Sequence, residues 1–256
     1  MYNPYLSKNM KEFNDDADYN PYYEQHQILV KKHMIVAGST GSGKTAFVTN
    51  LIRTMKKCFG HVQVWTADPD EKLYKFLKKQ LKDKIDIGLI GDLPPLSNQP
   101  IKSGMQQMII IDDWLTAGKN IFTICKDYAL RSRKPPYAYS CVFLTQSYYE
   151  VDIFIRQQIS YLILLKLTKK NMTMVASTLD VDISKESVNK ILRNSTKEAL
   201  NVAFIDLHNR DPNKTFRRNL THPKTSQIDY YIVEDENGVE IPTKDIKMFT
   251  GSGILN

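Results

Sequence analysis

Eight consecutive residues, Gly38-Ser39-Thr40-Gly41-Ser42-Gly43-Lys44-Thr45, follow the spacing G-x-x-x-x-G-K-[ST]. Each part of that pattern has a chemical reason. The glycines let the backbone curl so that successive N–H groups converge on phosphate oxygens. A helix starting near Lys44 adds the positive end of its dipole. Lys44 reaches the β- and γ-phosphates of a nucleotide, and the Thr45 hydroxyl is a hard oxygen ligand for Mg2+. The ligands this pattern implies are ATP and Mg2+.

Two further polar positions end apolar runs. Met108-Ile-Ile-Ile111 leads into Asp112 and Asp113, and Val142-Phe-Leu-Thr145 leads into Gln146. A carboxylate at the end of a buried parallel strand can face the phosphate loop across the edge of a sheet. There Asp112 would hold Mg2+ through water, and Asp113 would polarise an attacking water. The competing reading of Asp113 is a helix-capping carboxylate. An amide at Gln146 can donate to a γ-phosphate oxygen and accept from the lytic water. Its plain alternative is a side chain that satisfies loop backbone.

These residues need elements to hold them, and the hydropathy pattern supplies such elements. Apolar runs at 33–37, 61–65, 85–90, 108–111, 141–145 and 161–167 read as strands. Helical spacing appears over 44–57, where Phe47, Val48, Leu51, Ile52 and Met55 share a face. It recurs over 70–82 with Leu73, Phe76, Leu77 and Leu81, and around 121–130, 172–179 and 185–192. Strands alternating with helices predict an α/β fold, a mostly parallel central sheet flanked by helices. Residues 1–27 read as an N-terminal arm, 28–170 as the core, and 171–256 as a helical and mixed C-terminal appendage packed on it.

Bulk properties exclude several classes. No apolar run reaches the ~18–20 residues that span a bilayer, and no signal peptide is expected. Cys58, Cys125 and Cys141 lack metal-ligand spacing and fit a reducing compartment. The net charge is +7. The excess sits in the body: residues 156–224 carry 13 Lys and Arg against 6 Asp and Glu. That balance suits a polyanionic partner, although a solvated lysine-rich surface would give it as well.

Taken together, GSTGSGKT at 38–45, IIIDD at 109–113, RSRKPPYAYS at 131–140 and VFLTQSYYEV at 142–151 resemble the FtsK–HerA group of P-loop motor ATPases. Within it they are similar to the genome-packaging ATPases of poxviruses, other large DNA viruses and virophages. The resemblance covers roughly residues 30–170. It implies a RecA-like P-loop fold and a homo-oligomeric ring that hydrolyses ATP at subunit interfaces and drives double-stranded DNA into a capsid. It further implies capsid proteins as partners, no membrane, and a place in the virion or host cytoplasm. It also implies a trans-acting arginine, for which Arg131 and Arg133 are both open. The segment between them and the Gln146 strand is longer here than in relatives, through Pro135-Pro136.

Two other functions fit the phosphate loop. One is a small-molecule kinase, with the Arg131–Lys134 cluster as a lid; the other is a nucleotide-gated scaffold with no turnover. Weaker basic candidates are Phe216-Arg-Arg-Asn219 and the lysines of 72–84, each set against a plain solvated surface. His33, His61 and His208 read as structural, and Tyr148-Tyr149 as core or interface.

Overall fold

The computed structural model describes residues 20–100, 106–134, 136–221, 227–250 and 253–254. In chain order the helices are Tyr23–His26 (α1), Lys44–Thr54 (α2), Lys72–Leu81 (α3), Lys119–Arg131 (α4), Ile153–Arg156 (α5), Lys169–Thr178 (α6) and Lys185–Ser195 (α7). The strands are His33–Ala37 (β1), His61–Thr66 (β2), Ile85–Leu89 (β3), Gln107–Ile111 (β4), Tyr139–Thr145 (β5), Ile159–Leu164 (β6), Ala203–Asp206 (β7), Phe216–Arg218 (β8), Asp229–Ile232 (β9), Lys247–Thr250 (β10) and Gly253–Ile254 (β11).

All eleven strands join one sheet, in the order β11-β10-β9-β8-β7-β6-β1-β5-β4-β2-β3. The six strands from β6 to β3 are parallel, whereas β7 to β11 add antiparallel strands at the other side. The central strands are buried on both faces because successive side chains enter different layers. In β1, Met34 and Val36 join one apolar cluster while Ile35 and Ala37 join the other. The same split separates Met108 and Ile110 from Ile109 and Ile111, and Val142 and Leu144 from Cys141 and Phe143. Phe47, Val48 and Leu51 of α2, with Tyr74 and Leu77 of α3, close the first layer. Residues of α4, α6 and α7 close the second.

Three local differences from the sequence reading have identifiable causes. On α3 the buried residues are Tyr74 and Leu77, while Phe76 is 46% exposed. The helix is turned because the Tyr74 hydroxyl has a buried carboxylate to reach. The strand expected at 161–167 runs from Ile159 to Leu164. It leaves the ladder there because the Lys166 carbonyl accepts from the Ser39 N–H and hydroxyl instead. Residues 203–254, within the appendage expected to pack on the core, contribute strands that continue the core sheet.

Side-chain hydroxyls cap α6 and α7. The Thr168 hydroxyl accepts from the Asn171 N–H, and the Ser184 hydroxyl accepts from the Ser187 N–H. Each covers a backbone donor that the first turn leaves open. Residues 1–19 of the expected arm lie outside the described residues, as does Pro135.

Candidate functional site

The register Ala37↔Thr145, Ile111↔Phe143 and Trp65↔Ile111 aligns the C-terminal ends of β1, β5, β4 and β2 along one edge of the sheet. The loop 38–43 rises from β1 at that edge. Its entry is pinned on both sides: Gly38 N–H donates to the Thr145 carbonyl and Ser39 N–H to the Lys166 carbonyl, each at 3.1 Å. A Cβ on Gly38 would stand 2.4 Å from the Ser42 hydroxyl oxygen and 2.8 Å from Leu165 Cβ, so only glycine fits. Gly43 starts α2 with φ +99°, a conformation open to glycine.

The residues of the loop suit a phosphate chain. Lys44 Nζ donates to the Gly38 carbonyl at 2.9 Å, curling over the loop it belongs to. Burial lowers the Lys44 pKa, and the charges of Asp112, Asp113 and Glu71 oppose that shift. The Ser42 hydroxyl oxygen is buried with no hydrogen-bond partner among the described residues. It packs against the Cα of Gly38, on the side of Leu165.

Asp112 is 6% exposed. Its backbone N–H continues the ladder to the Trp65 carbonyl at 2.8 Å. Its carboxylate accepts from the Tyr74 hydroxyl at 2.7 Å and from the Asp113 N–H at 3.0 Å. Burial pushes its pKa up to about 6 despite these donors, which favour the charged form. Asp113 has φ +54°, in the left-handed region, and its side chain is exposed. It stands at the cap position of a short 3-10 turn but makes no capping bond, so helix capping is not its role. Gln146 is exposed beside the loop, and its Oε1 accepts from the Thr40 hydroxyl at 3.1 Å. The strand β5 stands between β1 and β4, so Gln146 lies between the lysine loop and the aspartates.

Two residues of this edge escaped the sequence reading. Glu71, just before α3, accepts from the Thr45 hydroxyl at 3.3 Å. Burial raises its pKa, with Asp68 and Asp113 adding to the shift and the Thr45 bond and Lys44 opposing it. Tyr74 lies one turn further on and holds Asp112. The available signal was the acidic run Asp68-Pro-Asp-Glu71 directly after a strand end, the position already used to single out Asp112. Thr45, Asp112 and Glu71 together offer hydroxyl and carboxylate oxygens, a donor set that fits Mg2+.

Arg131 and Arg133 lie elsewhere. Arg131 is the last residue of α4 and Arg133 follows it, at the end of the sheet where β5 begins, with Tyr139 opposite Gln107. The length of β5 separates them from the phosphate loop by roughly 20 Å. Arg131 is 74% exposed and pairs with Asp127 at 2.7 Å; Arg133 Nη2 donates to Gln158 Oε1 at 3.2 Å. The Arg131–Lys134 cluster is therefore no lid over its own phosphate site.

The segment 216–219 is corrected as well. It is not a basic surface loop: Phe216 and Arg217 are buried in β8. Arg217 donates to the His26 carbonyl at 2.7 Å and lies 3.7 Å from the Phe204 ring centre. Arg218 pairs with Glu198. The lysines of 72–84 are exposed. His33 Nδ1 accepts from the Cys141 N–H, and burial lowers its pKa to about 3, so it stays neutral. His61 pairs with Asp86 at 2.8 Å. No cluster of His, Cys, Asp or Glu among the described residues could hold a metal on such side chains alone. All three cysteines are free and buried. No helix among the described residues is long and apolar enough to cross a membrane.

Residues 33–243 match the CobQ/CobB/MinD/ParA nucleotide binding domain. The chain belongs to this family. The matched span takes in every element that carries the site, from β1 to the strands beyond α7. The fold is similar to that of the genome packaging NTPase B204 from Sulfolobus turreted icosahedral virus 2, solved with sulfate. The TM-score is 0.51 at 12% identity over 75% of this chain and 97% of that one. It is also similar to the pCW3 conjugation coupling protein TcpA, solved with ATPγS. There the TM-score is 0.50 at 11% identity over 75% of this chain and 60% of that one. An uncharacterized protein of Aquifex aeolicus (strain VF5) is 28% identical over 69 residues, 27% of this chain and 25% of that protein. The family match establishes a nucleotide-binding domain, and the structural likenesses concern the fold.

Proposed function

We propose that the chain hydrolyses ATP and uses it to move double-stranded DNA, as the genome-packaging ATPase of a virus in the FtsK–HerA group. The observation that carries hydrolysis is the placing of Gln146 between Thr40 of the phosphate loop and the Asp112-Asp113 strand end. A site for binding alone needs no polar side chains converging beyond the lysine. In this reading an amide and a carboxylate would flank the position from which a water attacks.

In this reading Lys44 and the loop N–H groups hold the triphosphate. Thr45 and Asp112, with Glu71 beside them, would hold Mg2+, which when bound neutralises charge on the β- and γ-phosphate oxygens. Tyr74 fixes the Asp112 carboxylate. Gln146 orients the water, and the exposed Asp113 carboxylate accepts its proton.

DNA translocation rests on the motif resemblance, on the basic excess of residues 156–224 and on the likeness of fold to a genome packaging NTPase. An arginine acting in trans must come from a neighbour whose α4 end faces this subunit's phosphate edge. Such a contact joins unlike surfaces, the head-to-tail kind that a closed ring requires. Arg131, 74% exposed and paired to Asp127 of its own helix, suits that role better than Arg133, which is part-buried against Gln158. The test is phosphate release from ATP with no acceptor present, with and without duplex DNA. Release that duplex DNA stimulates and Lys44→Ala abolishes supports the reading. Transfer only to a small-molecule acceptor would replace it with a kinase.

A further inference from the structure

The groove between α2 and the segment after α7 has a volume of about 530 Å3 and opens directly beside the phosphate loop. Gly43 at the cap of α2, with Ala46 and Asn50 on the helix, forms one wall; Leu200, Asn201 and Asn219 face them. From this geometry we infer that the groove receives the nucleoside of the bound triphosphate, with the base against Leu200. The inference rests on the phosphate-loop reading above and gives residues beyond 170 a part in the nucleotide site.

The other directions away from the loop are taken. Towards β6, Ser39 is bonded to the Lys166 carbonyl and Gly38 abuts Leu165. Towards β5 and β4 stand Gln146, Asp112 and Asp113, where the γ-phosphate end belongs. The first N–H groups of α2, next to Ala46, hold the opposite end of a phosphate chain. The atoms that continue from that end enter the groove, whose volume lies within the ~300–1,000 Å3 of small-molecule sites.

Its far wall is built rather than incidental. Leu200 is 66% exposed, has φ +66°, and comes so near Gly43 that a Cβ there would lie 2.5 Å from its Cδ2. A leucine held in the left-handed region costs free energy, and such positions concentrate at ligand clamps. A chain of bonds secures the segment. Asn219 Oδ1 accepts from the Val202 N–H at 2.9 Å, and Asn219 Nδ2 donates to Asn201 Oδ1 at 3.0 Å. Asn201 Nδ2 donates to Glu198 at 2.7 Å, and Arg218 holds the same carboxylate. These amides are spent on fixing the loop, which leaves the leucine as an apolar platform for a base. Asn50, exposed on α2, is the polar group across from it.

The test compares ATP with inorganic tripolyphosphate, both with Mg2+, by calorimetry on the full chain. Leu200→Gly removes the platform at a backbone position that suits glycine, so the fold is kept. It should weaken ATP about tenfold and leave tripolyphosphate unchanged, while Leu200→Met restores ATP affinity. Equal ATP affinity in Leu200→Gly, or equal loss for both ligands, overturns the groove as the nucleoside site. If Lys44→Ala weakens neither ligand in the intact chain, the phosphate-loop reading itself fails and the inference falls with it.

Discussion

The Tyr74 hydroxyl donates a 2.7 Å hydrogen bond to Oδ2 of Asp112, joining the first layer of helices to the end of β4. It explains why α3 buries a tyrosine rather than Phe76, and how a carboxylate 6% exposed keeps its orientation. Removing the hydroxyl leaves Asp112 buried with one donor fewer. Tyr74→Phe should cost about 1–2 kcal/mol of stability, read by denaturant unfolding. Hydrolysis should fall about tenfold. The acidic limb of its pH profile should move upward, because the lost bond favoured the charged form. A variant with lower stability but an unmoved limb would make Tyr74 a packing residue only.

Asp112 itself sets a pH dependence whose sign is fixed by burial. Its folded pKa is raised from 3.8 to about 6, so the unfolded chain ionises first as pH rises. The stability linked to this group is whole below about pH 4 and is lost as pH climbs through 6. Asp112→Asn should therefore abolish hydrolysis while raising neutral-pH stability by on the order of 1–3 kcal/mol, a gain that vanishes near pH 4. Thermal melts across that range check it.

Gln146 stands beside Thr40 with an amide that can both donate and accept. Gln146→Ala should lower kcat by on the order of 10² while changing ATP affinity less than threefold, because water placement belongs to the transition state. Thr40→Val should have a far smaller effect. Loss of affinity without loss of kcat would return Gln146 to a loop-supporting role.

For the arginines, mixing subunits separates cis from trans action. Arg131→Ala and Lys44→Ala should each be inactive alone, and mixed assemblies should regain turnover where an intact loop meets an intact arginine. Full activity of Arg131→Ala by itself would reduce the Arg131–Asp127 pair to a surface contact worth about 0–1 kcal/mol.

Where the sequence was sufficient, the chemistry was local. The phosphate loop must be contiguous in the chain, and Asp112 and Gln146 follow apolar strands of even hydropathy. The six parallel strands were legible for the same reason. Residues missing from that reading meet their partners across the fold. Glu71 is 26 positions from Thr45 and Tyr74 is 38 from Asp112, and neither separation has a periodicity to betray it. Arg217 shows the converse failure. Its basic neighbours suggested a surface, whereas a three-residue strand buries it under Phe204. Antiparallel strands of two to four residues leave too short a pattern to read.

The proposed activity is ATP turnover coupled to DNA. Steady-state phosphate release by the full chain, with Mg2+ and no acceptor, is to be compared with and without duplex DNA at low and moderate salt. Turnover should rise with duplex DNA, weaken steeply as salt increases through counterion release, and disappear in Lys44→Ala. Turnover that survives Lys44→Ala, or that duplex DNA leaves unchanged at low salt, would contradict the account.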